Sequence, residues 1–174
     1  MQDVPRIVVS KCLEFEHCRY DGEIIANETI RALKPFVEFL PVCPEMEIGL
    51  GVPRDPIRIE FDGVRRRLVQ PATGRDQTEP MERFCTRFLD SVGTVDGFIL
   101  KSRSPSCGLR GVKVFGPDGK SGSFAPGRGF FADAVRRRFP RLPLEDEGRL
   151  LDFRRREHFL KRVFTMARLR NGSR

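Results

Sequence analysis

The chain has no tryptophan, one tyrosine and two histidines. Its arginine runs at 65–67, 136–138 and 154–156 therefore lack the interleaved aromatics that mark many RNA-binding surfaces. No stretch approaches the roughly 18–20 apolar residues of a membrane span. The opening Met1-Gln2-Asp3-Val4-Pro5 has neither the basic flank nor the apolar core of a secretory signal. There is no C-x-x-C pair, which argues against a zinc ribbon or a thioredoxin-type redox site. The G-x-S-x-G elbow of serine hydrolases is missing, as are the Walker A loop and the G-x-G-x-x-G dinucleotide fingerprint. No internal repeat or linker composition interrupts the chain.

What is present fits a globular domain spanning residues 1–174, at 39% hydrophobic and 32% charged residues. The expected location is the cytoplasm, where thiols stay reduced, so the five cysteines read as ligands, catalysts or packing groups and not as disulfides. The net charge of +8 admits two readings: solvated faces paired with nearby acids, or attraction to phosphate on a nucleotide or on RNA.

The organising stretch is Lys101-Ser102-Arg103-Ser104-Pro105-Ser106-Cys107-Gly108. It follows the apolar run Gly97-Phe98-Ile99-Leu100, which reads as a buried strand. Pro105 and Gly108 turn the backbone sharply on either side of Cys107. Two other cysteines stand in the same relation to a strand: Ile7-Val8-Val9 runs into Ser10-Lys11-Cys12, and Phe39–Val42 runs into Cys43-Pro44-Glu45.

Around these three strands the pattern predicts a helix from an Asn27 cap to Leu33, ended by Pro35, and a strand over 36–42. A hairpin is expected over 57–61 and 66–69, turning at Asp62-Gly63. Thr78 is placed as the cap of an amphipathic helix from Pro80 to Val92, with Met81, Phe84, Cys85, Phe88 and Leu89 on its stripe. Beyond the central strand come a short strand at 112–115, a glycine-rich loop over 116–129 anchored by Phe124, and a helix over 130–139. An edge strand at 142–144 and a charged helix over about 147–170 complete the reading. This order is that of a single-domain α/β fold: a mainly parallel, Rossmann-like sheet with helices on both faces, plus a small β-hairpin. Ligands of such sheets lie outside the carboxyl ends of the strands, where all three cysteine loops fall.

Each candidate has a bland alternative. Cys12, Cys43 and Cys107 are either unrelated buried thiols or thiolates converging on an iron–sulfur cluster, which cysteines commonly ligate. With three ligands on a four-iron cluster, one iron stays open as a Lewis acid. Cys85 reads as a core residue, whereas Cys18 either lines the site or packs. Glu45 is a candidate general acid or base, or else a capping acid, and Glu47 is the weaker of the two. Ser102, Ser104 and Ser106 could donate or relay protons over Cys107. Lys101 and Arg103, with Arg19 in the first loop, are candidate substrate contacts. His17 reads as a bystander and His158 as structural.

Four motifs, Val8–Cys12, Arg19-Tyr20-Asp21-Gly22, Pro41–Glu45 with Ile48–Arg54, and Lys101–Gly108, together resemble the thiouracil desulfidase family. The resemblance implies a [4Fe–4S] cluster on Cys12, Cys43 and Cys107 with one open iron, and non-redox removal of sulfur from thiolated uracils. It implies Glu45 as the acid that activates water or shuttles protons, assisted by Ser104 in preference to Ser102. The implied substrate is a small thiolated base or nucleotide, 2- or 4-thiouracil or 4-thio-UMP, converted to uracil or UMP plus hydrosulfide. Two rival expectations are desulfuration of 4-thiouridine in tRNA, and a metal-bearing binding module without turnover. The chain departs from the family in Leu13-Glu14-Phe15-Glu16-His17-Cys18, which is acidic and bulky and adds a further thiol.

Overall fold

In the computed structural model, residues 4–116 and 127–172 are described. The Phe124 anchor of the glycine-rich loop lies outside those residues. Strands β1 (Arg6–Ser10), β2 (Glu38–Val42), β6 (Gly97–Leu100) and β8 (Leu144–Asp146) form one sheet in the order β2-β1-β6-β8. All three pairings are parallel, with Ile7 opposite Phe39 and Gly97, and Ile99 opposite Glu145.

Strand periodicity sorts the core into two layers. Val8, Phe98 and Leu100 face α3 (Thr78–Ser91) and α4 (Phe130–Arg138), packing with Met81, Phe84, Phe131 and Val135. Ile7, Val9 and Ile99 face the other way, toward Ile30 and Leu33 of α1 (Glu28–Leu33) and Phe159 and Val163 of α5 (Phe153–Gly172). Strands buried on both faces need continuous apolar runs, and that is what these segments carry. Helices thus cover both sides of a parallel sheet, as the sequence predicts.

The expected hairpin is present as β3 (Arg58–Phe61) and β4 (Arg66–Gln70), paired antiparallel. It belongs to a second sheet of order β5-β4-β3-β7, completed by the two-residue strands β5 (Arg75–Asp76) and β7 (Val114–Phe115). Among the described residues no helix is long and apolar enough to cross a membrane.

Several local expectations shift. Asn27 does cap α1, its side-chain oxygen accepting from Ile30 N at 3.0 Å. Thr78 does not cap α3: Gln77 holds the cap position, and the Thr78 hydroxyl instead accepts from Leu68 N at 2.8 Å, tying the helix to β4. The last strand starts at Leu144 and not at Leu142. The last helix does not begin at 147. A 3-10 turn (Arg149–Leu151) comes first, and the extended Asp152 then starts α5 by accepting from Arg155 N at 2.9 Å. Glu147 is left out of that helix because its carboxylate is drawn to the strand ends.

Candidate thiol-lined active site

Strands β2, β1 and β6 are adjacent and parallel, so Cys43, Cys12 and Cys107 leave the sheet at one edge. Sheet order reverses across β1 and β6, the kind of crevice in which α/β proteins place ligands. A cavity of about 320 Å³ opens there, lined by Cys12, Cys18, Cys43 and Cys107 and rimmed by Arg19 and Arg103. Cys18, ambiguous from sequence, is therefore a site residue. Cys85 is not: it is buried between α3 and α4, and burial pushes its thiol up to about 12.

The loop holding Cys107 is fixed by backbone contacts. Gly108 N donates to Ser104 O at 2.8 Å, and the first amides of α4, Phe130 N and Phe131 N, donate to Pro105 O and Ser106 O at 3.1 and 2.9 Å. The helix start thus satisfies its orphan donors on the carbonyls of the cysteine loop. This close approach needs Gly129, where a Cβ would collide with the Ser106 carbonyl and stand 2.9 Å from Cys107 N. Gly129→Ala is expected to lower stability by about 1–3 kcal/mol, measured by urea unfolding.

The thiols interact with one another. A hydrogen bond with Cys12 is the largest influence on the Cys18 thiol, and with burial it raises it to about 11. The bond with Cys18, together with burial, drives the Cys43 thiol far above its ordinary range. Burial does the same to Cys107, opposed by the neighbouring Ser10 hydroxyl. Without a cation these groups are thiols, and binding a metal centre would release their protons.

Among the described residues, no three His, Cys, Asp or Glu side chains converge tightly enough for a single metal ion. A cubane cluster asks for something else, since each cysteine takes a different iron and the thiols must stand apart around a volume. Soft thiolates without histidine, spaced over three strand ends around one cavity, fit that demand.

Glu45 lies on the short helix α2 (Pro44–Glu47), which begins directly after Cys43. Its Oε2 receives both Nε and Nη2 of Arg54 at 2.9 Å, and its Oε1 accepts from the Ser106 hydroxyl at 2.8 Å. The Arg54 side chain is 4% exposed and also donates to the carbonyls of Cys18 and Gly51, at 3.1 and 2.8 Å. Two guanidinium donors on one carboxylate oxygen, at this burial, fix its position. Glu47, by contrast, is exposed.

The motif serines separate into three roles. Ser104 Oγ accepts from Ser106 N and Cys107 N, at 3.1 and 3.0 Å, shaping the loop while lining the cavity. Ser102 Oγ donates to Glu147 Oε1 at 2.8 Å. Ser106 is fully buried and is the one that reaches Glu45.

Lys101 lines the cavity, but its ammonium is engaged with Glu147 Oε1 at 2.6 Å and with Ser102 Oγ at 3.0 Å. Arg19 also lines it, paired with Asp21 and Glu23. Arg103 makes no ion pair among the described residues; its backbone is left-handed at φ 58, and its exposed side chain lines the cavity. His17 is exposed with Nδ1 3.2 Å from Gly22 O, and His158 is exposed on α5.

Burial opposes ionisation of Glu147, but hydrogen bonds from Lys101 and Ser102 N outweigh it and hold its carboxyl below the ordinary value. A depressed folded value stabilises the protein above the unfolded value, about 4.3, and that contribution fades as pH falls through the folded value. Glu147→Gln is expected to cost about 2 kcal/mol at pH 7 and progressively less on acidification below about pH 4, measured by urea unfolding at both pH values.

Sequence reasoning passed over Arg54, Ser10 and Glu147. Arg54 stands inside a quoted motif, and a lone arginine closing a glycine–proline turn was the available signal. Ser10, at the last position of β1, accepts from Lys101 N at 2.8 Å, and only the strand-end position hinted at it.

An α/β sheet that gathers reduced thiols and an arginine-held glutamate at its strand ends defines a thiolate-centred site of the kind that holds metal clusters. The family model for 2-thiouracil desulfurase matches residues 7–147, and the chain belongs to that family. It is 33% identical over 111 residues to the uncharacterized protein YbbK of Bacillus subtilis (strain 168), covering 59% of this chain and 72% of that one. Among solved structures it resembles a [4Fe-4S]-dependent thiouracil desulfidase, TudS, with a TM-score of 0.64 and 28% identity. That match covers 84% of this chain and 93% of the other.

Proposed function

We propose that this protein is a [4Fe–4S]-dependent desulfidase that hydrolyses the C–S bond of a thiolated uracil, as free base or as a nucleotide such as 4-thio-UMP. The observation that carries the reading is the meeting of Cys12, Cys43 and Cys107 with the Arg54-held Glu45 around one cavity. The family membership and the likeness to TudS support it.

Cys12, Cys43 and Cys107 are the proposed ligands, and a cluster held by them would supply Lewis acidity for the substrate sulfur. Glu45 takes a proton from the attacking water. The water oxygen bonds to the ring carbon, the proton passes from Glu45 to the sulfur, and the C–S bond breaks with its electrons leaving as hydrosulfide while the new hydroxyl gives up its remaining proton to solvent and becomes the ring carbonyl. No net oxidation occurs. Ser106 holds the Glu45 rotamer from behind, and Ser104 keeps the Cys107 loop closed. Lys101 and Ser102, joined to Glu147, form the facing wall, and Arg103 and Arg19 stand at the rim for an anionic substituent. Residues 1–174 act as one catalytic domain in this reading.

The test is anaerobic reconstitution with iron and sulfide, followed by 4-thio-UMP and detection of hydrosulfide. A brown protein that releases hydrosulfide, both properties being lost in Cys107→Ala, is expected. A colourless protein that binds no iron would overturn the proposal.

A further inference from the structure

The thiol-lined cavity has one aromatic side chain, and the reaction steps above give it no task. Of the residues that line the cavity, Tyr20 alone is aromatic. It is also the single tyrosine of a chain without tryptophan. Core aromatics such as Phe98 and Phe131 are fully buried, whereas Tyr20 keeps 43% of its surface exposed.

A tight turn holds Tyr20 at the cavity. Gly22 N donates to Arg19 O at 2.9 Å, and Glu23 N donates to Asp21 Oδ1 at 3.1 Å. Gly22 supplies the left-handed φ of 79° that closes the turn. Tyr20 O accepts from Arg54 N at 2.9 Å, which joins the turn to the arginine that holds Glu45. The Arg19 guanidinium stands 5.6 Å from the ring centre and is itself held by Asp21 and Glu23. The Tyr20 hydroxyl has no hydrogen-bond partner among the described residues. The turn is therefore fixed through its backbone, and the ring is left available.

Folding has little use for an aromatic at this position, because so much of its surface stays in water. A ring that lines a cavity offers something else, a π face on which a flat heteroaromatic ring stacks. The remaining lining consists of thiols, hydroxyls, charged groups and the aliphatic Val42, Pro44 and Pro105, none of which has an aromatic face. Hydrogen bonds from such groups can read the edge of a base. Only Tyr20 can read its flatness.

We infer that Tyr20 is the stacking platform for the pyrimidine ring and makes the site selective for planar, conjugated bases. The identity of that ring comes from the desulfidase reading proposed above, on which this role rests.

Tyrosine fluorescence of the full chain comes from Tyr20 alone, so it reports directly on this contact. Titration with uracil, the product of the proposed reaction, should quench it saturably. The analogue 5,6-dihydrouracil keeps the amide edge but loses the flat conjugated ring, and should bind about 5-fold or more weakly. By calorimetry, Tyr20→Phe should bind uracil within about 2-fold of the parent, while Tyr20→Leu, which keeps apolar bulk without a π face, should bind about 5-fold or more weakly. In the reconstituted enzyme Tyr20→Leu should raise KM by about 5-fold or more with kcat within about 2-fold, the mark of lost uniform binding. Circular dichroism and iron content should match the parent, as expected for an exposed side chain. Parental affinity in Tyr20→Leu, equal binding of dihydrouracil, or no saturable quench by uracil would each overturn the inference. A parent that is quenched by uracil yet takes up no iron keeps the stacking role and overturns the desulfidase reading. Hydrosulfide release with parental KM in Tyr20→Leu keeps that reading and overturns the stacking role.

Discussion

Glu45→Gln is expected to lower turnover of 4-thio-UMP by about 10²–10⁴-fold, the range that a positioned acid or base contributes. Gln keeps the size of the side chain and can turn its amide oxygen to the Arg54 donors while its NH2 donates to the Ser106 hydroxyl oxygen, so the loop should stay in place. It cannot take a proton from water. Iron content and absorbance should therefore match the parent while hydrosulfide release collapses. The split between retained cofactor and lost rate is the informative result. If iron is lost as well, Glu45 serves the architecture of the centre, and its assignment as the proton acceptor falls.

Arg54→Met is the second large effect. Its guanidinium is almost completely buried and bonds to Glu45 and to the carbonyls of Cys18 and Gly51. Removing one partner of a buried pair leaves the other charge uncompensated, at a cost of about 3–5 kcal/mol. Urea unfolding should show a loss of that size. The double variant Glu45→Gln/Arg54→Met should recover part of it, because no buried carboxylate then remains without a partner. Additive losses in the double variant would show that Arg54 acts through the carbonyls alone.

These two residues also show where sequence reading reaches its limit. The parallel sheet was legible because its central strands β1 and β6 are short apolar runs buried on both faces. Glu45 could be picked out because it follows one of the strand-end cysteines. Its partners could not: Ser106 lies 61 residues away, and Arg54 arrives through a glycine–proline turn whose path has no periodic signal. The motif serines look equivalent in sequence, and only the folded loop separates the one that bonds Glu45 from those that bond backbone amides or Glu147. The second sheet was half legible for a similar reason. The short strand expected at 112–115 is present as β7 (Val114–Phe115), whereas the two-residue Arg75–Asp76 has no alternation to read, and β5 exists because β4 is beside it. The start of the last helix was misplaced because Glu147 reads as a helix former, although its carboxylate is held by Lys101 and Ser102.

The four strands of the main sheet come from segments near residues 6, 38, 97 and 144, so every neighbouring pair joins distant parts of the chain. The thiols at the sheet edge share that origin. While the chain emerges from the ribosome, Cys12 and Cys43 have no Cys107 to meet, and the loop that carries Cys107 is braced by α4 and Glu147 only later still. Contacts of such long sequence separation form late in folding. A partly made chain therefore has isolated thiols and no cavity, and the cluster proposed for them could be held only once synthesis is nearly complete. Iron loading would then report on completed folding.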